Sequence, residues 1–295
     1  MELRHIRYFL AVVEEGSFTK AAEKLLIAQP PLSRQIKDLE EEIGTPLFLR
    51  KARGLQLTEA GMRFLQYASQ IVHLADQSLE DISEMSTGLK GTLYIASVEG
   101  RAPRLLAKWI AGFNKLYPQV DFNLWNGNTD DVCNRVYNGL CDIGIITAPY
   151  DQEGLRGIEV YDEPWIAMIP VNHPLAEKSG ESIDLIELAD YDLLIPSRES
   201  RRQEIEEWFA PLNVKPKIRA RLAHMLNAYE LTANGLGIAI FPAAAAEYAE
   251  DDVVVKTING GFKASYVMVR SNERESTLLA KEFISYVKDA LNQPS

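Results

Sequence analysis

The chain has 295 residues, a net charge of −11, and 46% hydrophobic and 25% charged residues. This length exceeds that of one typical domain, so we expect two or three cores in a globular protein. No secretion leader and no membrane-spanning apolar run is evident, and two cysteines, Cys133 and Cys141, are too few for a disulfide scaffold. We therefore expect a cytoplasmic protein.

The charge is distributed unevenly along the chain. Of the 31 basic and 42 acidic residues, residues 1–65 hold 10 and 9, which leaves 21 basic and 33 acidic residues for the remainder. Phosphate binding depends on Lys and Arg. A nucleic-acid contact is therefore expected in the N-terminal part rather than in the acidic remainder.

The beginning of the chain predicts three short helices. In the first, apolar residues recur at the helical period before Gly16; they are Leu3, Ile6, Phe9, Leu10 and Val13. Ser17 is a suitable N-cap for a second helix over Phe18–Leu25, and Pro30 suits the first turn of a third. The third helix has the apolar stripe Leu32, Ile36, Leu39 and Ile43, ends at Gly44, and carries Ser33, Arg34 and Lys37 on its other face. This pattern indicates a helix-turn-helix.

A predicted wing follows. Leu49–Leu57 has the pattern of a strand, a basic glycine turn and a second strand. Arg50, Lys51 and Arg53 would lie at its tip, against phosphates or in a minor groove. Holding the wing to the helices is an alternative role for Arg50.

Residues 58–88 predict one long helix, with Thr58 as N-cap and Gly88 at its end. Its apolar residues follow the a/d spacing of a coiled coil: Leu65, Ala68, Val72, Ala75, Leu79 and Ile82. Such a narrow seam favours dimerisation, which we expect through Leu65, Val72, Leu79 and Ile82. Packing of the seam on its own chain is the alternative.

From Gly91 onward, predicted strands and helices alternate. The strands are Leu93–Val98, Asp121–Trp125, Asp142–Ile146, Trp165–Pro170, Leu193–Ile195, Ile238–Phe241 and Ala264–Arg270, and the helices include Leu105–Phe113, Thr129–Gly139, Glu204–Phe209 and Ser276–Leu291. The alternation predicts parallel sheets covered by helices. Two such lobes commonly bind a small molecule at the carboxyl ends of their strands.

Residues 1–65 resemble the DNA-binding domain of LysR-type transcriptional regulators. The residues that carry the pattern are Phe9, Gly16-Ser17-Phe18, Ala21-Ala22, Leu25, Gln29-Pro30, Ser33, Gln35-Ile36, Leu39-Glu40, Gly44, Leu47-Phe48, Arg50 and Leu57-Thr58-Glu59-Ala60-Gly61. Met1–Glu42 is most similar to the branch that controls breakdown of aromatic compounds. A weaker resemblance continues through Gly91–Leu106, Gly139–Ile146, His173-Pro174-Leu175-Ala176, Gly235-Leu236-Gly237-Ile238 and Phe241-Pro242.

The resemblance implies an α/β multi-domain protein. It places a winged helix-turn-helix at residues 1–58, a linker and dimerisation helix at 59–89, and an effector domain similar to type 2 periplasmic binding proteins at 90–295. Lobe I of that domain would span about 90–163 and 266–295, and lobe II about 164–265. The implied function is sequence-specific operator binding, modulated by a small-molecule effector between the lobes. A dimer or tetramer would bind an interrupted dyad and contact RNA polymerase.

The resemblance also indicates which residues contact DNA: Ser17, Thr19, Gln29, Pro30, Pro31, Ser33, Arg34, Lys37, Arg50 and Arg53. Arg34 can pair with guanine and Gln29 with adenine, and proline rings can touch thymine methyl groups. The chain departs from the family at Ala28, where relatives often have a capping Ser or Thr. Losing such a cap costs about 1 kcal/mol, which Pro30 and Pro31 can offset by pre-setting the backbone.

We expect effector contacts at Glu99, Gly100, Arg101, Asn128, Thr129, Thr147, Ser197, Arg198 and Phe241. Many relatives have small hydroxyl residues after the first strand, where they hold a carboxylate at a helix N-terminus. Here an ionised Glu99 would repel an anionic ligand unless Arg101 neutralises it. A simple Glu99–Arg101 pair across the cleft mouth is the alternative.

No enzyme is expected. The sequence has no phosphate loop, dinucleotide fingerprint, nucleophile elbow or metal cluster, so we predict no catalytic residue, metal or cofactor apart from the effector. The alternatives are a cytoplasmic small-molecule-binding protein and a metabolic enzyme without DNA binding. The helix-turn-helix argues against both. The two cysteines are expected to be small buried residues without a redox role.

Overall fold

The computed structural model describes residues 1–51, 54–87 and 89–292, with side chains except at positions 50, 51, 54, 73, 77 and 79–87. The chain divides into two units, one formed by Met1–Lys90 with Asn138–Leu140 and the other by Gly91–Tyr137 with Cys141–Ser295. Within the described residues, no helix is both long and apolar enough to cross a membrane.

The first unit consists of three short helices, a hairpin and a long helix. The elements are α1 (Leu3–Glu15), α2 (Phe18–Lys24), α3 (Gln29–Ile43), β1 (Phe48–Lys51), β2 (Gly54–Leu57) and α4 (Glu59–Thr87). Its core centres on Phe9, which is fully buried and lies with its ring centroid 5.2 Å from Phe48 and 4.9 Å from Phe64. The periodic apolar residues therefore form the interior of a winged helix-turn-helix.

Two polar side chains join α3 to the hairpin and to α4. The Glu40 carboxylate accepts hydrogen bonds from the backbone N–H groups of Leu47 (2.7 Å) and Phe48 (3.1 Å). Thr58 caps α4 by accepting the N–H of Gly61 at 2.8 Å. A Cβ on Gly61 would lie 2.1 Å from the Leu47 carbonyl oxygen, so only glycine allows this close approach.

The predicted seam of α4 lies partly against its own unit. Ala68 is fully buried in the core of the first unit, and the half-buried Leu65 and Val72 pack against that core. In the single chain the short helices therefore partly cover Leu65 and Val72, as in the alternative that the seam packs on its own chain, and the predicted contact of these residues with a partner helix stays a prediction. The side chains of Leu79 and Ile82 lie outside the described part of the chain.

A different face of α4 is exposed and apolar. Tyr67, Ile71 and Leu74 follow each other at helical spacing, and Tyr67 and Leu74 are 63% and 62% exposed. On the opposite face of the helix, beside Leu65 and Val72, an ion pair between Arg7 and Asp76 ties α4 to α1. We call Tyr67, Ile71 and Leu74 the free stripe of α4.

The second unit has ten strands and six α-helices among its described residues. They are β3 (Gly91–Ser97), α5 (Ala102–Leu116), β4 (Val120–Asn126), α6 (Thr129–Tyr137), β5 (Ile143–Thr147), β6 (Leu155–Pro170), β7 (Ser182–Ile183), α7 (Leu185–Leu188), β8 (Asp192–Pro196), α8 (Glu199–Phe209), β9 (Lys217–Leu222), α9 (Met225–Ala233), β10 (Ile238–Pro242), β11 (Val253–Ile258), β12 (Lys263–Ser271) and α10 (Leu278–Asn292).

One long strand connects two lobes. The main strand order is β4-β3-β5-β12-β6-β10-β8-β9, with β11 pairing β6 and β7. Over Leu155–Pro164, β6 pairs with β12, whereas over Trp165–Pro170 it pairs with β10 and β11. Lobe I is therefore formed by β3–β5, β12 and the first part of β6, and lobe II by the rest of β6 with β7–β11.

Each lobe has its own core. In lobe I, the ring of Phe113 on α5 meets that of Phe283 on α10 edge to face at 5.1 Å. In lobe II, Trp165 packs edge to face on Trp208 at 5.1 Å, and Trp208 stacks on Phe262 at 4.2 Å. This aromatic cluster includes Trp208 from the last turn of α8.

Several element predictions need correction. The predicted strand Trp165–Pro170 is only the second part of β6, and α8 begins at Glu199 instead of near Glu204. Five elements had no prediction: β7, α7, β9, α9 and β11. In β9 every second residue is half-buried and the others are exposed, so its apolar pattern is weak.

Candidate functional site

The first turn of α3 presents an exposed polar surface. Ala28 occupies the N-cap and makes no side-chain cap hydrogen bond, and Pro30 and Pro31 follow in the first turn. Gln29, Pro30 and Pro31 are exposed. At Ala28, where the chain departs from the family, the start of α3 therefore depends on the two prolines rather than on a capping side chain.

The side chains after this turn continue the same surface. Gln29 Nε2 donates to the half-buried Ser33 Oγ at 2.7 Å, which orients both groups. Arg34 is exposed and has no carboxylate partner among the described residues. Lys37 is exposed and pairs with Glu41 at 3.2 Å. Arg34 is therefore the unneutralised cation of the predicted recognition helix.

The remaining predicted DNA contacts lie in α2 and the hairpin. Ser17 is the N-cap of α2, where its Oγ accepts the N–H of Lys20 at 3.5 Å, and Thr19 is exposed in the first turn. In the hairpin, Phe48 pairs with Leu57 and Lys51 with Gly54, as expected for a wing. The Arg50 side chain and all of Arg53 lie outside the described residues, so their predicted contacts stay predictions.

A cleft of about 470 Å³ lies between the two lobes of the second unit. It is formed at the carboxyl ends of β3, β4, β5 and β8, where the argument from parallel strands expects a ligand. The structure brings seven predicted effector residues together in its walls: Glu99, Asn128, Thr129, Thr147, Ser197, Arg198 and Phe241. Two predicted residues, Gly100 and Arg101, do not line it.

The alternative in which Glu99 pairs with Arg101 is wrong. Glu99 instead meets His224 of lobe II, with 2.7 Å between Oε1 and Nδ1. Arg101 donates to Glu163 at 3.3 Å and to Glu247 at 2.5 Å. Gly100 adopts a left-handed backbone (φ 84°) between the two residues, which lets the chain turn so that only Glu99 reaches the cleft.

Arg101 belongs to a buried polar cluster behind the cleft. The Glu163 side chain is 1% exposed and accepts the hydroxyl of Tyr266 at 2.9 Å, while Tyr266 itself accepts the N–H of Arg101 at 3.1 Å. Burial raises the pKa of Glu163, although Tyr266 and Arg101 act in the opposite direction. Burial likewise raises the pKa of Tyr266, so this phenol stays protonated at neutral pH.

Ion pairs connect the lobes across the cleft. Arg198 of lobe II donates to Asp130 of lobe I at 2.8 Å and to the Thr147 carbonyl oxygen at 3.4 Å. The hydrogen bond between Glu99 and His224 is a second polar link between the lobes. Both links therefore join lobe I to lobe II through residues that line the cleft.

Two residues of the cleft floor were missed by the sequence analysis. Trp165 is 0% and Arg201 4% exposed, and the Arg201 guanidinium lies 5.2 Å from the centre of the Trp165 ring. Arg201 follows the predicted residues Ser197 and Arg198 by one helical turn. A helix predicted to begin at Glu199 would have placed Arg201 in its first turn, next to the cleft. For Trp165, the sequence indicated only that it belongs to a strand.

Neither cysteine has the surroundings of a reactive thiol. Both are free, Cys141 is buried, and burial raises the pKa of the Cys133 thiol to about 11. Burial also raises the pKa of Cys141. Within the described part of the chain, no three His, Cys, Asp or Glu side chains are grouped to hold a metal ion.

Both the helix-turn-helix head and the two-lobed unit match known protein families. Residues 3–62 match the bacterial regulatory helix-turn-helix proteins of the lysR family, and residues 86–292 match the LysR substrate binding domain. The chain is 31% identical over 294 residues to the Hca operon transcriptional activator HcaR of Escherichia coli K12, covering 99% of this chain and 98% of that protein. It is 32% identical to the regulator BenM of Acinetobacter baylyi, over 83% of this chain and 81% of BenM.

Solved structures resemble the whole chain. Full-length CbnR complexed with its target DNA has a TM-score of 0.76 and 26% identity, covering 98% of this chain and 100% of CbnR. Full-length BenM has a TM-score of 0.60 and 29% identity, covering 99% of this chain and 96% of BenM. The domain matches and the near-complete coverage of HcaR establish that the chain belongs to the LysR family of DNA-binding transcriptional regulators and is not an enzyme.

Proposed function

We propose that this regulator binds an interrupted DNA dyad as a dimer or a dimer of dimers, with α3 of each head in a major groove, and that a small molecule in the cleft controls it. The exposed start of α3, with its unneutralised Arg34, is the observation that supports the DNA part most directly. A dimer with two-fold symmetry should select a DNA site that has the same symmetry.

The head offers side chains for both kinds of DNA contact. Arg34 suits bidentate recognition of guanine, and Gln29, held by Ser33, suits adenine. Lys37, Ser17 and Thr19 suit phosphate contacts, which position the head without specifying sequence. Arg50 and Arg53 extend the proposal to the wing.

The free stripe of α4 is our candidate for the dimer contact. Tyr67, Ile71 and Leu74 are apolar, regularly spaced and exposed, unlike the covered Leu65 and Val72. A partner helix would remove them from water. We therefore place the dimer seam on this face instead of on the face indicated by the heptad pattern.

The effector would bind between the lobes. The cleft of about 470 Å³ fits a small organic molecule, and its walls combine apolar side chains with the hydroxyls of Thr129 and Thr147. A ligand regulates only if it favours one arrangement of the lobes over another. The links of Arg198 with Asp130 and of His224 with Glu99 are the contacts it would shift. Altered contact with RNA polymerase in the cytoplasm would complete the proposed mechanism.

Binding of the purified full-length protein to its own upstream DNA tests the DNA part. Footprinting should show protection of an interrupted dyad. The variant Arg34→Ala should lose about 1–3 kcal/mol of specific affinity at fixed salt, because a base contact is removed.

A matched control is Lys108→Ala, which removes an exposed cation from α5 in the second unit. This variant should protect the dyad as the wild type does. If Arg34→Ala keeps full specific affinity, or if both variants lose it equally, the assignment of α3 as the recognition helix is wrong.

A further inference from the structure

The floor of the cleft holds two buried hydrogen-bond donors without an acceptor. Arg201 Nη2 and Trp165 Nε1 both lack a partner among the described residues, and both residues line the cleft. Buried polar groups are nearly always hydrogen-bonded, because an unsatisfied one costs stability. Two such donors from adjacent residues at a ligand cleft indicate a missing acceptor.

The charges around Arg201 leave room for an anion. Its Nη1 donates to Glu204 at 2.6 Å, so one carboxylate faces one side of the guanidinium and the other side stays free. Burial, and to a smaller extent the like charge of Arg198, lowers the pKa of Arg201. Arginine nevertheless stays charged in proteins, so this guanidinium is a poorly solvated cation.

The start of α8 adds to this positive environment. The helix has 11 residues, Arg198 occupies its N-cap, and no side chain caps it. Arg201 lies in its first turn, where the helix dipole and free N–H groups favour negative charge. Arg198 cannot provide the anion site itself, because its guanidinium is already engaged by Asp130 and by the Thr147 carbonyl oxygen.

We propose that Arg201 Nη2 and Trp165 Nε1 form an anion-binding position that holds the carboxylate of a small organic acid, the effector class of this cleft. The inference rests on the proposed effector function of the cleft. One free guanidinium edge suits a single carboxylate, and the acidic Glu99, Asp130 and Asp131 in the walls disfavour a second negative group. Apolar neighbours such as Val98 and Phe241 suit an apolar body.

This position differs from the end of β3, where Glu99 faces the cleft. A carboxylate bound at Arg201 lies on lobe II, so an acidic residue at the mouth does not exclude an anionic ligand. Trp165 also joins the ligand to the crossover strand β6, at the point where that strand changes from lobe I to lobe II. Binding there would therefore act on the segment that sets lobe position.

Indole NMR of the full-length protein tests the site directly. The chain has four tryptophans, and loss of one signal in Trp165→Phe assigns the Trp165 indole N–H. Benzoate and hexanoate are titrated against their neutral analogues benzamide and hexanamide. We expect both acids to move the Trp165 signal downfield while both amides leave it in place, and Arg201→Gln should weaken the acids at least tenfold.

Control variants distinguish loss of the anion-binding position from loss of folding. Arg202→Gln removes a cation from the same helix that pairs with Glu199 and Glu206, and it should bind the acids normally. The other three indole signals report folding of each variant. If Arg201→Gln does not fold, calorimetry on Trp165→Phe replaces it, and at least fivefold weaker benzoate binding is expected.

The outcomes distinguish this inference from the function on which it rests. An unmoved Trp165 signal with both acids, or equal shifts with acids and amides, overturns the anion position. Each sample is also tested for dyad protection. DNA binding without an acid-specific shift would leave the regulator intact and the inference wrong, whereas an acid-specific shift without DNA binding would support the site and contradict the proposed operator function.

Discussion

Replacing Leu74 by glutamine should weaken the dimer if the free stripe of α4 is its interface. Leu74 has 62% of its surface exposed in the single chain. Full burial of a leucine is worth about 1.5–3 kcal/mol, so covering this fraction stabilises each protomer by about 1–2 kcal/mol. A two-fold interface contains the residue twice, which gives about 2–4 kcal/mol, or an increase in the dimer Kd of about 30- to 1,000-fold.

Sedimentation over a dilution series measures this change. Glutamine is a good helix former, so the substitution removes apolar surface without breaking α4. Leu116→Gln is a matched control, since Leu116 is 61% exposed on α5 of the second unit. The reasoning is refuted if Leu74→Gln associates like the wild type, or if Leu116→Gln dissociates to the same extent.

Two further predictions concern stability. Gly61→Ala should destabilise the first unit by about 1–3 kcal/mol through overpacking against the Leu47 carbonyl. Gly16→Ala has open space around its Cβ but a left-handed backbone, so it should cost about 1–2 kcal/mol. Urea unfolding with a probe in the first unit measures both losses, and a loss below about 1 kcal/mol for Gly61→Ala would contradict the close contact. Glu163 has a pKa raised above its ordinary value of 4.5, so the folded state keeps a proton that the unfolded chain has released, and the stability from this group is lost as pH rises above 4.5. Glu163→Gln should therefore show a smaller fall in unfolding free energy as pH rises above 4.5 than the wild type or Glu247→Gln, and an unchanged fall would show that Glu163 does not titrate in that range.

The helices of the head were predictable because their signals are local. Periodic apolar residues, the cap at Ser17, the prolines at the start of α3 and the glycines at positions 16 and 44 act within one or two helical turns. The family resemblance then indicated the surface that meets DNA. In the second unit, the carboxyl ends of predicted parallel strands should lie at one edge of the sheet, where ligands bind. This argument identified seven residues of the cleft without a structure.

Contacts between distant residues were decided only by the tertiary structure. The a/d spacing of α4 marks an apolar face, yet the same pattern arises whether a partner or the chain itself covers it, and the head partly covers Leu65 and Val72. Whether Arg101 meets Glu99 or Glu163 depends on the turn at Gly100 and on a strand 62 residues away. Trp165 and Arg201 are far apart in sequence and become neighbours only in the folded lobe II, where the Arg201 guanidinium lies over the Trp165 ring. Sequence alone therefore determined the family, the helices of the head and most elements of the second unit, whereas folding decided which faces stay free and which charges stay unpaired.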